Sequence, residues 1–174
     1  MAVTLQLARI PESYLAACRQ SADASPDRDP RWDPPAPDVL DLDWAPALLD
    51  RVGEAAGLEG VPLHALRRAT DGDTGLDLGF LATHPHAIAP LGGTPTALDV
   101  AQVAVVSELL GQIDMAALLA ALPADDREVT SLIGPEAAHI TGGVRAYLLG
   151  HFNALRDFYL EAAERRLLVV LWWD

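Results

Sequence analysis

At 174 residues and 51% apolar side chains, the chain is long enough to bury the core of one domain and too apolar to stay disordered. Acids outnumber bases 25 to 12, and the formal charge of −13 opposes binding to nucleic acid or to an anionic membrane surface, since phosphates attract Lys and Arg. Every base is arginine. Without lysine there is no Schiff-base chemistry, no lysine base and no P-loop lysine.

The N-terminus lacks the basic segment and apolar run of a signal peptide. No apolar stretch approaches the ~20 residues that span a bilayer. Cys18 stands alone and has no internal disulfide partner, which suits a reducing compartment. These features predict a cytoplasmic protein, and the Ala- and Arg-rich, Lys-free composition points to a GC-rich bacterial genome.

In chain order, Val3, Leu5 and Leu7 alternate with Thr4 and Gln6, the period of a half-buried strand. Pro11-Glu12 reads as the first turn of a helix reaching about Gln20. A Pro/Asp-rich surface loop is expected at residues 23–41, where proline density rules out a helix or a central strand, with Trp32 pinning it down. Asp43 is placed to cap a helix from Trp44 to Ala56 that Gly57 ends. A short helix follows over Pro62–Ala69, then one or two short strands within Leu76–Ile88.

Thr96 and Asp99 match a capping box for a helix over Ala97–Gly111. Four valines leave that helix without a polar face and predict deep burial. Asp114–Leu122 reads as another helix stopped by Pro123, and Pro135–Ile140 as one more turn. Gly142-Gly143 opens the last helix, in which Val144, Leu148, Phe152, Leu155, Phe158 or Tyr159, and Ala162 form one apolar stripe. Glu161 and Arg165 are four apart with the acid first, worth ~0.2–0.5 kcal/mol as a surface pair. Leu167–Trp173 then runs apolar without alternation, as a strand covered on both faces does.

The run Phe152-Asn153-Ala154-Leu155-Arg156-Asp157-Phe158-Tyr159-Leu160-Glu161-Ala162-Ala163-Glu164, followed by the apolar strand, resembles the closing helix of the YfbM-like family, uncharacterised bacterial proteins in which a Leu-x-x-Phe-Tyr run and a small-residue pair precede the last strand. Leu42-Asp43-Trp44 before a helix, Leu91-Gly92-Gly93, and Thr94-Pro95-Thr96-Ala97-Leu98-Asp99-Val100 are also similar to segments of that family. The resemblance implies an α/β (α+β) domain of unknown activity and carries over no catalytic residue. The expected architecture is a single domain over 1–174: a small mixed sheet holding the N- and C-terminal strands, flanked by several helices.

His84-Pro85-His86 places two imidazoles two apart, a spacing that shares a metal when it lies on a strand. The proline argues for a turn instead, and no third ligand is identifiable, so neither metal nor cofactor is expected. Asp71-Gly-Asp73-Thr-Gly75-Leu-Asp77 superficially matches a calcium loop, but Leu76 and Ala82 occupy the places of the required Gly and Glu. Leu91-Gly-Gly93 before a helix offers amides to an anion without the G-x-G-x-x-G pattern. Cys18 reads as a small buried hydrophobe, His151 as a hydrogen-bonded residue at the core boundary, and Asp125, Asp126 and Glu128 as a solvated connection.

No motif names an activity. The first expectation is a non-catalytic interaction protein whose acidic surface and Pro-Asp loop meet a basic protein partner, an immunity-type role against a toxin being one version. The alternative is a small-molecule enzyme gathering His84, His86 and Asp77 beneath the loop.

Overall fold

A computed structural model describes residues 3–90 and 93–174, and places the C-terminal strand at the centre of the sheet. Among the described residues the sheet has four strands: β1 (Leu5–Ile10), β2 (Val39–Asp41), β3 (Thr96–Leu98) and β4 (Leu168–Trp173), in the order β2-β1-β4-β3. Every pairing is antiparallel, with Leu5 opposite Trp173 and Ile10 opposite Leu168. The mixed sheet expected from the sequence is thereby corrected. A continuous apolar run reports burial of both faces, which parallel and sandwiched antiparallel strands share, so it carries no information on direction.

β4 divides its side chains between two cores. Val169 and Leu171, with Leu167 just before the strand, enter the larger one, while Leu168, Val170 and Trp172 enter the smaller. β1 does the same, with Leu5 and Leu7 on one side and Ala8 and Ile10 on the other. Each large side chain so buried contributes about 1.5–3 kcal/mol.

The larger core is closed by helices. The 21-residue α7 (Val144–Glu164) crosses the sheet with Val144, Leu148, Phe152, Leu155, Phe158, Tyr159 and Ala162 buried, the stripe its period predicts. Packed around it are α2 (Ala45–Ala55), α3 (Gly60–Asp71), α4 (Val100–Leu110), α5 (Met115–Ala121) and α6 (Asp126–Ile133). On the opposite face lie α1 (Glu12–Ala24), through Cys18 and Ala22, and a 3-10 turn at Gly79–Ala82, through Phe80 and Leu81.

The proline loop is shorter than the 23–41 expected. α1 continues to Ala24, Ala36–Asp38 forms a 3-10 turn, and Val39–Asp41 becomes edge strand β2. The prolines end at Pro37, and an edge strand that starts just after them gives up no ladder donor. Trp32 pins what remains, with ring centroids 5.8 Å from both Tyr14 and Trp172 in edge-to-face contact.

Where the loop rejoins the sheet, the buried Arg9 of β1 donates to Asp38 (2.9 Å) and to the carbonyl of Pro37 (3.1 Å) and pairs with Glu161 of α7 (2.8 Å). Arg165 reaches the same Asp38 carboxylate (3.1 Å) and pairs with Glu161 (3.0 Å). Hydrogen bonds from Arg165 and Arg9 hold the Asp38 carboxyl below the usual range, against its partial burial.

Four further expectations change. α4 begins at Val100, not Ala97: the capping box is Asp99 with Gln102 (2.8 and 2.9 Å), because Thr96–Leu98 is used as β3 against β4. α4 is also not buried all round, since Val105 is 52% exposed. Residues 76–88 hold the 3-10 turn and no strand, and α6 occupies the acidic stretch read as a connection, capped by Asp125. Gly72 ends α3 at φ 68°, where a side chain would run into Thr96 on β3.

Inside the larger core, the Tyr159 hydroxyl donates to the carbonyl of Ala69 at 2.9 Å. Tyr159→Phe is expected to cost about 1–3 kcal/mol by orphaning that carbonyl, and Leu171→Ala about 2–5 kcal/mol by opening a cavity on β4. Leu132→Ala, at a site 53% exposed, should stay within about 0.5 kcal/mol. Urea unfolding with an unchanged m-value checks all three.

Candidate functional site

The sequence-predicted residues fall into separate contacts. His84 is exposed, joined to Pro85 by a cis peptide. His86 does lie beneath the proline loop, but its partners are Asp27 (Nε2 to Oδ2, 3.1 Å) and Asp29 (Nδ1 to Oδ1, 3.9 Å). Asp77 instead accepts from Arg19 at 2.9 Å, and that guanidinium lies 4.6 Å from the centre of the Phe80 ring. Around His86, a cleft of about 300 Å³ opens between Asp29–Asp33 and His86–Ile88. The Asp27 carboxyl is drawn down to about 2, first by the Ser25 hydroxyl and then by His86.

The other motifs serve the fold. Asp73 accepts from the Gly75 amide and pairs with Arg68 at 3.5 Å, while its backbone bridges to Ala97, so the calcium-like stretch is a turn tied to β3. Thr96 donates to the Asp71 carbonyl at 2.7 Å and caps nothing. Leu91 and Gly92 of the glycine turn lie outside the described residues. Among the described residues, no three His, Cys, Asp or Glu side chains are grouped to hold a metal ion. Cys18 is buried beside Tyr14, and burial pushes its thiol up, away from the reactive thiolate.

One constellation escaped the sequence reading. At the C-terminal end of β2, the Asp43 amide donates to Asp41 Oδ1 (2.7 Å), which turns the chain, with Asp43 at φ 51°. Asp and Asn tolerate that left-handed conformation through such local bonds. Asp43 therefore does not cap α2, as its position before the helix suggested; Trp44 is the N-cap residue and makes no side-chain cap. The Asp43 carboxylate is turned to α7, where it accepts from the Tyr147 hydroxyl at 2.9 Å. One helical turn on, the His151 ring packs on Tyr147 with centroids 4.3 Å apart.

Burial, with Asp43 as acceptor, pushes the Tyr147 phenol up to about 12. Burial also pushes His151 down, against the pull of Asp43 and Asp41, so this imidazole is neutral at neutral pH. Trp44, beside the cluster, is 43% exposed. His151 was visible in the sequence, and Tyr147 four residues before it shares its helix face. Asp43 was legible only as a helix cap, and its pairing with Tyr147, 104 residues away, gave no signal.

The distribution of charge is equally specific. Most arginines are used within the molecule: Arg9, Arg51, Arg67, Arg145 and Arg165, among others, pair with the chain's own carboxylates. Among the described residues Glu12, Asp23, Asp41, Glu59, Glu108 and Glu164 have no such partner.

These features define a single α+β domain, with a four-stranded antiparallel sheet between a helical layer and a thinner cover of one helix and loops. The fold is that of YfbM. The crystal structure of YfbM from Escherichia coli, a protein of unknown function, superposes with a TM-score of 0.57 at 13% identity, covering 97% of this chain and 98% of that one. No family model and no curated protein matches the sequence. Among the described residues no single helix is long and apolar enough to cross a membrane.

Two titrations check the site. Asp27 is depressed in the folded state, so its contribution is present above its unfolded value near 4 and is lost as pH falls toward 2. Carbon-detected NMR should show Asp27 titrating near 2, and Ser25→Ala should move it upward. Tyr147 is raised, so the folded state loses its contribution as pH climbs from about 10 towards 12. A near-ultraviolet difference titration should show this phenol ionising earlier in Asp43→Asn; an unchanged midpoint would contradict the assignment.

Proposed function

We propose that this chain is a cytoplasmic interaction protein, without catalysis of its own, whose acidic surface meets a basic protein partner. An immunity-type role, in which an acidic protein occupies a basic toxin, is one form of it. The observation that carries the reading is the use of arginine inside the molecule while many carboxylates keep no cationic partner. A surface left net negative steers a positive partner and rejects nucleic acid, and its effect falls as salt screens it.

The test is binding of short cationic peptides by calorimetry across ionic strength. Affinity is expected to fall by about tenfold or more between low and high salt, with glutamate peptides and DNA inert. Failure of every cationic probe to bind at low salt overturns the reading.

A second reading keeps the small-molecule enzyme expected around His84, His86 and Asp77, but centres it on His86 alone. What favours it is the 300 Å³ cleft that holds His86 under the proline loop, with Asp27 and Asp29 in the place given to Asp77. It requires a metabolite that raises the melting temperature of the wild type and leaves His86→Ala unmoved. A metabolite screen with no such compound rejects it.

A further inference from the structure

Three separate segments meet at one end of the sheet. The Thr4 and Asp174 backbones bond to each other in both directions (2.8 and 3.0 Å), and the Leu5 amide donates to the Asp43 carbonyl (3.2 Å). This brings the start of β1, the turn after β2 and the end of β4 together. Each carries a large apolar side chain left in solvent: Val3 is 39% exposed, Trp44 43% and Trp173 41%. Exposed tryptophan is unusual on a monomer's surface and is enriched where proteins dock.

The charges around these side chains are negative. Asp41 and Asp174 are exposed, and neither has an ion-pair partner among the described residues. Asp43 is held in a fixed orientation by the Tyr147 hydroxyl. Indole faces attract cations, and a planar guanidinium both stacks on an indole and pairs with a carboxylate through two N–H groups. An ammonium does only part of this.

We propose that this end of the sheet is the docking surface for the basic partner, with Trp44 and Trp173 as anchors for arginine side chains whose charge Asp41, Asp43 and Asp174 meet. It rests on the interaction reading above and gives it a place and a residue preference. β4 and β1 make the surface rigid, since both are hydrogen-bonded into the sheet up to their exposed ends.

The experiment is an NMR and calorimetric titration of the full chain with a short oligo-arginine peptide and its oligo-lysine counterpart at low salt. The Trp44 and Trp173 indole signals and the amides of residues 41–45 should shift, and arginine should bind about tenfold more tightly than lysine. Trp44→Ala and Trp173→Ala should each remove that preference. Asp41→Asn, which keeps the acceptor for the Asp43 amide, should weaken both peptides several-fold. Glu128→Gln on α6 should change neither. Circular dichroism confirms that each variant folds, and Trp44→Phe and Trp173→Phe, with smaller ring faces, should retain part of the preference. Cationic binding whose shifts lie elsewhere, or whose arginine preference survives both alanine variants, overturns the docking surface and leaves the interaction reading standing. No binding of either peptide overturns both.

Discussion

The burial of β4 on both faces is the constraint to which the rest of the structure answers. A strand whose consecutive residues are all apolar has no face to offer water, so it is stable only with a layer of protein on each side and a strand at each edge. β1 and β3 supply the edges. Helix α7 and its neighbours cover Val169 and Leu171, while α1, Phe80, Leu81 and Trp32 cover Val170 and Trp172. The two covers are unequal. The helical side is thick and self-contained, whereas the other depends on a single helix and a proline loop that Trp32 holds against Tyr14 and Trp172.

Charge is organised around that frame. Arg9, near the C-terminal end of β1, would be an expensive buried cation alone, but Asp38 and Glu161 neutralise it and the Pro37 carbonyl completes its bonds. The network ties the end of the proline loop to β1 and to the last turn of α7. Its consequence for function is indirect. Arginines committed to such pairs are not available to offset carboxylates elsewhere, and the surface keeps its negative character.

Much of this was legible in the chain. The period of α7 and the apolar run after it reported real elements, because each depends on burial, and burial writes itself into residue type at a fixed spacing; the alternation at the start reported a strand, but β1 is buried on both faces and not half-buried. Trp32 as the pin of the proline loop was legible for the same reason. The start of α4 was not: Thr96 with Asp99 and Asp99 with Gln102 are both sound capping pairs, and only the pairing of Thr96–Leu98 with β4 chose between them. The neighbours of the histidines were not legible either: the acids beside His86 are Asp27 and Asp29, more than fifty residues back along the chain, while Asp77 pairs with Arg19.

By itself, then, the sequence determined the buried stripe of α7, the net negative charge, the lack of lysine chemistry and the presence of a central C-terminal strand. Tertiary structure alone decided strand direction, the partner of each carboxylate and the meeting of Val3, Trp44 and Trp173 at one end of the sheet. The division has a physical cause. Burial and helical period are properties of a residue and its near neighbours, whereas an ion pair or a surface patch is a property of distance in space, which a one-dimensional order does not record.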